Sequence, residues 1–260
     1  MTLVDSGLRP ESPFLWRARR PGAARRLICF PHAGAGATAY ADWSRWLPAD
    51  IEVVAVQLPG RQNRIAEDFY TEVPPLVAAL SHALGPVLDL PCAFFGHSAG
   101  AQLAYEVARA LRDRGRTGPE HLFLSAQPAP GAPVRPVLHE LPDAEFRAEM
   151  IRLGGIDPEI AADAPVMESL LAVLRADFGL WERHRVVPGE PLDCPITVLT
   201  GRSDPRASIA DVDLWRAHTG AEFAARTYDG GHFYFLEAPD EVVAHIGAVM
   251  TATMTSGRIG

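Results

Sequence analysis

The sequence predicts an α/β fold, a mostly parallel central sheet flanked by helices with one helical insertion, and three observations support it. Short apolar runs recur along the chain, separated by longer stretches of helical periodicity. Several of these runs lack the polar alternation of a half-exposed strand, as expected where helices cover both faces of a parallel sheet. The alternation breaks once, over residues 128–192, which hold helix signals but no convincing strand.

Taken in order, residues 27–30 (LICF), 51–58 (IEVVAVQL), 92–96 (CAFFG), 121–125 (HLFLS), 194–200 (CPITVLT) and 221–228 (AEFAARTY) read as strands. Residues 73–88, 99–112, 207–219 and 239–252 read as helices, joined to the strands by right-handed crossovers. In the insertion, Asp143 stands as an N-cap for a helix carrying Phe146, Met150 and Leu153, which ends at Gly154 or Gly155. A second stripe, Met167, Leu170, Leu171, Leu174, Phe178 and Trp181, falls at spacings of three and four. The proline-rich AQPAPGAPVRP segment from Ala126 reads as an exposed connection.

Composition excludes several functions. The 48% hydrophobic content rules out disorder as the main state, and a net charge of −8 argues against a phosphate-tracking nucleic-acid binder. All 24 basic residues are Arg, so a Schiff-base lysine, a P-loop lysine and a Ser–Lys dyad are absent together. Cys29, Cys92 and Cys194 are odd in number and far apart, which fits buried free thiols rather than a disulfide framework or zinc site. No apolar segment follows the N-terminus as in a signal peptide, and none reaches the roughly 18 apolar residues of a membrane span. A cytoplasmic protein that binds neither membrane nor nucleic acid is expected.

Gly96-His97-Ser98-Ala99-Gly100 fits G-x-S-x-G, directly after an apolar strand and directly before a helical run. A serine on such a sharp strand-to-helix turn is lifted above the sheet edge, and the helix points its N-terminal amides at the same spot. Its hydroxyl needs a base oriented by an acid, expected in the chain order Ser, Asp or Glu, His. Asp204 in TGRSDP and His232 in DGGHF follow the last two predicted strands and share the Ser98 rim, so the three form a candidate triad. Taken singly, Asp204 also suits an ordinary Asp-Pro turn. His97 sits inside the elbow, where adjacent side chains diverge, and reads as structural. His82, His184, His218 and His245 sit in helical patterns, and no histidine or cysteine spacing suggests a metal.

The first predicted strand runs into Phe30-Pro31-His32-Ala33-Gly34-Ala35-Gly36-Ala37. Gly34, Gly36 and Ala39 match a variant dinucleotide fingerprint, but Gln57 stands where a ribose-binding acid is expected. A small-residue loop here equally suits an oxyanion hole, with the backbone amides of Ala33 and Ala99 as donors.

With these motifs in view, nearly the whole chain resembles the type II thioesterases of polyketide and nonribosomal peptide biosynthesis, of the α/β-hydrolase fold. The resemblance rests on CFPHAGAGA from Cys29, VQLPGRQNR from Val56, FFGHSAGA from Phe94, ELPDAEF from Glu140, LTGRSDP from Leu199 and YDGGHF from Tyr228. Ala99 departs from a frequent Met, and HAGAG from HAGG; neither removes an amide donor.

The resemblance implies one α/β-hydrolase domain over residues 1–260, with a helical lid over 128–192. It implies Ser98 as nucleophile, His232 as general base, Asp204 as its orienting acid, and oxyanion donors at Ala33 and Ala99. Met167, Leu170, Leu171, Leu174 and Phe178 are the lid candidates for acyl-chain contact, beside the plain alternative of core packing. The implied substrate is an acyl thioester on the phosphopantetheine arm of an acyl or peptidyl carrier protein, hydrolysed by a monomer without metal or redox cofactor. A serine hydrolase of acyl-CoA or small esters would share the triad. Carrier docking needs a local patch, and Arg17, Arg19, Arg20, Arg25 and Arg26, then Arg109, Arg112, Arg114 and Arg116, then Arg61 and Arg64, are candidates beside the ordinary reading of solvated arginines.

Overall fold

Two layers of helices sandwich a twisted sheet in this computed structural model, which describes residues 7–133 and 135–256. The eight strands are β1 (Leu8–Pro10), β2 (Leu15–Ala18), β3 (Arg25–Phe30), β4 (Ile51–Val56), β5 (Cys92–His97), β6 (His121–Ser125), β7 (Ile196–Gly201) and β8 (Phe223–Tyr228), in spatial order 1-2-4-3-5-6-7-8. Strands β3 to β8 are parallel, and β1 and β2 extend the β4 edge antiparallel. The helices are α1 (Val73–Ala83), α2 (Ala99–Asp113), α3 (Asp143–Leu153), α4 (Pro158–Ala162), α5 (Ala164–Arg183), α6 (Ile209–Asp213), α7 (Tyr234–Glu237) and α8 (Pro239–Ser256). Among the described residues no helix is long and apolar enough to cross a membrane.

The core explains the missing alternation. Ile28, Phe30, Phe94, Leu122 and Val198 pack with α1 and α2 residues such as Leu80 and Leu103 on one face. The intervening Leu27, Cys29, Ala93, Phe95 and Phe123 pack with Trp43, Val242 and Ile246 on the other. Successive side chains point to opposite faces, so a strand buried on both must be apolar throughout.

Strand β3 pairs with β4 on one side and β5 on the other, and the order reverses there. The crevice at such a reversal, beyond the carboxyl ends of the strands, is where α/β sheets place ligands. The Ala33 loop follows β3 and Ser98 follows β5, so both open on it.

Several expectations are corrected. The N-terminal hairpin is absent from the sequence reading because its strands are short and carry arginines. Glu52 of β4 holds it, accepting from Arg17 Nε at 2.7 Å, Arg26 Nε at 3.0 Å and the Arg20 amide at 3.0 Å. The predicted helix over 73–88 gives way at Gly85-Pro86 to a 3₁₀ turn. That over 207–219 is the short α6 and a second 3₁₀ turn, and α4 and α7 add to the reading. Asp143 is the first residue of α3 rather than its cap, and it pairs with Arg175 at 2.8 Å. The segment after Ala126 is tied down over its first residues: Trp215 Nε1 donates to the Gln127 carbonyl at 2.8 Å and the Ala129 amide to that of Asp211 at 3.2 Å.

The turn at Ser98 depends on two close backbone approaches. A Cβ on Gly96 would lie 2.1 Å from the Gly100 carbonyl oxygen, and one on Gly100 would lie 2.2 Å from that of Phe30. Gly96→Ala and Gly100→Ala are each expected to lower the thermal midpoint sharply or to abolish soluble protein. Gly118→Ala, with open space around it, should change little. Wild-type melting in either elbow variant would contradict the packing.

Candidate active site

Ser98 sits at φ 53°, ψ −123°, between β5 and the first turn of α2. This left-handed region is costly for a side-chain-bearing residue, about 1–3 kcal/mol, and persists because its surroundings impose it. The Ser98 amide donates to the Ser125 carbonyl of β6 at 2.8 Å, which fixes the turn against the sheet.

Asp204 lies on the loop after β7, and its side chain is fully buried. Its Oδ1 accepts the amides of Arg206 at 2.8 Å and Ala207 at 3.1 Å, leaving Oδ2 to accept from His232 Nδ1 at 2.9 Å. With its proton held on Nδ1, the imidazole keeps Nε2 as an acceptor. The two loops are locked together: a Cβ on Gly201 would lie 2.1 Å from the Gly231 carbonyl oxygen, and the Ser203 amide donates to that of Gly230 at 3.0 Å. Ser98 and His232 line the same two cavities. No hydrogen bond joins their side chains here; such bonds often tighten only when substrate is bound.

The Ala33 and Ala99 amides also face this region, and among the described residues neither donates to a protein acceptor. Ala99 opens α2, where the first amides lack intrahelical partners. Neighbouring groups brace the Ala33 loop. His32 Nδ1 donates to the Ala33 carbonyl at 3.0 Å, the Ala35 amide to that of His32 at 3.0 Å, and the Gly34 amide to Asp177 Oδ2 at 2.8 Å. Gln57 is fully buried and its Oε1 accepts the Ala37 amide at 2.7 Å, so the residue in place of a ribose-binding acid holds this loop. Gly34 to Ala39 lead into a four-residue 3₁₀ turn, Ala37–Tyr40, and not the long helix a pyrophosphate requires.

Asp177 of α5 is the site residue the sequence reading missed. It is buried and takes a two-pronged ion pair from Arg61, at 2.6 and 2.8 Å, while accepting the Gly34 amide. Arg61 also donates to the Ala35 carbonyl at 3.2 Å. The inserted helix is thereby pinned to the loop that carries Ala33. A signal was present: Asp177 interrupts the apolar stripe three residues after Leu174.

The arginine clusters are largely engaged within the fold. Arg61 and Arg64 are buried, Arg64 donating to Glu67 and the Gln57 carbonyl, so neither presents a docking charge. Arg26 is buried against Glu52 and Asp89, and Arg109 donates to the Val187 carbonyl at 2.6 Å.

Two cavities meet at Ser98, His232, Ala33 and Phe178. One, of about 380 Å³, runs beneath α3 and α5 and is lined by Met150, Leu153, Leu170, Leu174 and Phe178. The other, of about 310 Å³, runs between α5 and residues 126–133 and 135–137. Of the stripe residues, Leu170, Leu174, Phe178 and Trp181 thus line one or both of these cavities. Met167 and Leu171 do not: Met167 is fully buried and Leu171 packs on the insertion's own cluster of Leu138, Phe146 and Met150. Residues 170, 174 and 178 form one ridge at intervals of four, and 167 and 171 lie on the next. Among the described residues no group of three metal-ligating side chains is arranged around an ion.

Burial keeps the surrounding histidines neutral. His97 is fully buried, its Nδ1 joined to Ser125 Oγ at 2.8 Å, and its Nε2 lacks a partner. Burial holds it well below the ordinary histidine value and pushes His32 down to about 4; His121, the first residue of β6 at the far end from Ser98, is pushed down to about 4 in the same way. His97 lies 5.0 Å from His232, ring to ring.

The thioesterase domain, as a protein family, matches residues 25–250. The chain is 38% identical over 222 residues to gramicidin S biosynthesis protein GrsT of Aneurinibacillus migulanus, covering 85% of this chain and 87% of that one. Among solved structures it resembles RedJ, a thioesterase from the prodiginine biosynthetic pathway in Streptomyces coelicolor, at 40% identity and TM-score 0.82, over 87% of this chain and 85% of that one. It also resembles BorB, a type II thioesterase from the borrelidin biosynthetic cluster, at 35% identity and TM-score 0.80, over 92% and 97% of the two chains.

Two outcomes follow from the site's packing. Asp177→Ala leaves the buried Arg61 guanidinium with backbone carbonyls but no counter-charge, expected to cost about 3–5 kcal/mol in urea unfolding, most of it recovered in an Arg61→Met, Asp177→Leu double variant. An unchanged urea midpoint in the single variant would contradict the latch. Separately, an unfolded chain binds protons at its histidines as pH falls through about 6.5, where folded His32, His97 and His121 do not. Unfolding free energy should therefore fall between pH 7.5 and pH 5; equal values at both would contradict their neutral burial.

Proposed function

The chain belongs to the thioesterase domain family, as a type II thioesterase of α/β-hydrolase fold that hydrolyses thioesters, and from that premise we propose that Ser98, His232 and Asp204 are its catalytic triad. We further propose that its substrates are acyl groups, stalled or wrong ones included, on the phosphopantetheine arm of acyl or peptidyl carrier proteins in a polyketide or nonribosomal peptide assembly line. One observation carries this reading: Ser98 stands where two cavities join, so a two-armed substrate can lie with its reacting carbonyl at the serine. The acyl chain occupies the chamber under α3 and α5, which act as a lid, and the arm takes the other cavity. The chain acts as a single domain and a monomer, in the cytoplasm where its carriers are.

In the proposed cycle His232 Nε2 takes the Ser98 proton as Oγ attacks the thioester carbonyl. The resulting oxyanion accepts from the Ala33 and Ala99 amides, a type of interaction worth about a hundredfold to a thousandfold in rate per donor. The C–S bond breaks and the His232 proton leaves with the pantetheine sulfur, giving an acyl-Ser98 ester. His232 then takes a proton from water as the water oxygen attacks that ester. Collapse returns the proton to Ser98 and releases the acid. Asp204 stays ionised throughout and holds the imidazolium in place.

Wild-type protein should clear acyl groups from a panel of acyl-phosphopantetheinyl carriers, followed as loss of the acyl mass from intact carrier. Ser98→Ala should slow this by roughly a thousandfold or more. Undiminished clearance by the variant would remove Ser98 as nucleophile. Clearance of simple esters with every carrier left loaded would leave the triad and overturn the carrier assignment. A bulky Leu170→Trp change at the chamber wall should shift preference toward shorter acyl chains; an unchanged preference would argue that the chain binds elsewhere.

A further inference from the structure

Charge is divided unevenly between the two cavities. The chamber under α3 and α5 has no Arg, Asp or Glu on its wall, whereas Arg135, Arg185 and Arg206 line the other. Arg206 is set apart from the rest. Among the described residues it is the one arginine short of full exposure whose guanidinium has neither a hydrogen-bond acceptor nor an ion-pair partner. It lies over the Phe178 ring, 5.5 Å from the centroid, and burial pulls its pKa below the ordinary arginine value.

The acids nearby are already committed. Glu182, on the same wall, accepts from the Leu138 and His139 amides and from His139 Nδ1 at 2.6 Å. Asp177 is held by Arg61, and Asp204 by His232 and its own loop amides. Arg135 pairs with Asp211 through one nitrogen, while its buried Nε has no partner. Glu182, Glu149 and Asp204 act on Arg206 only at a distance; a partly desolvated guanidinium with no direct partner is unfavourable in the free protein, and an anion entering this cavity would relieve it.

We infer that Arg206, with Arg135 and Arg185 on the same wall, forms a phosphate site that recognises the phosphopantetheine arm and selects phosphorylated thioesters. The inference rests on the thioesterase reading above. The phosphate is the arm's charged group and lies at the end remote from sulfur, so it belongs in the cavity that does not take the acyl chain. A guanidinium fork matches phosphate oxygens in pairs. The same phosphate occurs in carrier-bound arms and in coenzyme A, so both classes should respond to Arg206.

The test compares one acyl group on pantetheine, on 4′-phosphopantetheine, on coenzyme A and on a carrier. Wild-type enzyme should prefer the phosphopantetheine thioester over the pantetheine thioester by about tenfold to a hundredfold in kcat/KM, mainly through KM. In Arg206→Ala that ratio should fall to near one, and Arg206→Lys should restore part of it. The inference is overturned if wild type shows no phosphate preference, if the variant keeps the wild-type ratio, or if both substrates suffer equally. A malonyl series separates the other anion: an Arg206 effect that follows the acyl carboxylate and ignores the phosphate also overturns it. A preference confined to coenzyme A would assign Arg206 to the nucleotide phosphates and overturn the arm site.

Calorimetric binding of free 4′-phosphopantetheine against pantetheine by Ser98→Ala protein makes the comparison without turnover. Failure of the thioesterase reading is distinguishable, because wild type would then hydrolyse none of the four thioesters.

Discussion

The backbone crossing at the carboxyl ends of β3 and β5 determines where every other part of the site must be. Gly96 and Gly100 leave no room for a Cβ between Ser98, the start of α2 and the Phe30 carbonyl. That contact turns the chain sharply enough to hold Ser98 at a positive φ, with its side chain facing the crevice where the strand order reverses. It also brings the first amide of α2 beside the loop after β3, so the proposed nucleophile and the candidate oxyanion donors share one rigid corner. The cost of the strained serine is met by the sheet on one side and the helix on the other.

Around that corner each remaining group is held by buried hydrogen bonds or ion pairs. Asp204 is aimed by two amides of its own loop, and His232 by Asp204. The helical insertion is joined to the corner through a buried ion pair, Arg61–Asp177, whose carboxylate also holds Gly34. Displacement of α5 would therefore disturb the loop carrying Ala33 as well as the walls of both cavities. The insertion and the Ser98 corner form one mechanical unit, which suits the proposed two-armed substrate.

How much of this was legible follows from the range of each interaction. The elbow is local: five consecutive residues between an apolar strand and a helical run carry it whole. Asp204 and His232 are far from Ser98 in sequence, but strand ends on one rim bring them together; β7, before Asp204, is buried on both faces and reads as an apolar run, while β8, before His232, is a partly exposed edge strand. Asp177 and Arg61 are 116 residues apart, on elements whose packing no periodicity specifies. Only the lone acid on an apolar stripe hinted at a partner. Apolar spacing reports burial and not which ridge meets a cavity, so the stripe alone does not separate Met167 and Leu171, which line neither cavity, from Leu170 and Leu174, which do. The N-terminal hairpin escaped notice because Glu52, a charge inside a strand, supplies its stabilisation in place of an apolar pattern. Nothing local in the sequence marks Arg206; its lack of a direct partner is visible only when Glu182, Asp177 and Asp204 are seen to be engaged elsewhere.

The central claim is that a thioester is opened by covalent transfer to Ser98. Rapid mixing of the enzyme with an acyl-phosphopantetheinyl carrier, acid quenching within the first turnover, and peptide mass mapping test it directly. The account predicts the acyl mass on the peptide containing Ser98, formed before free acid accumulates and absent from Ser98→Ala protein. Carrier hydrolysis at full rate with no acyl-Ser98 species at any time, or with the acyl group on another residue, would contradict it.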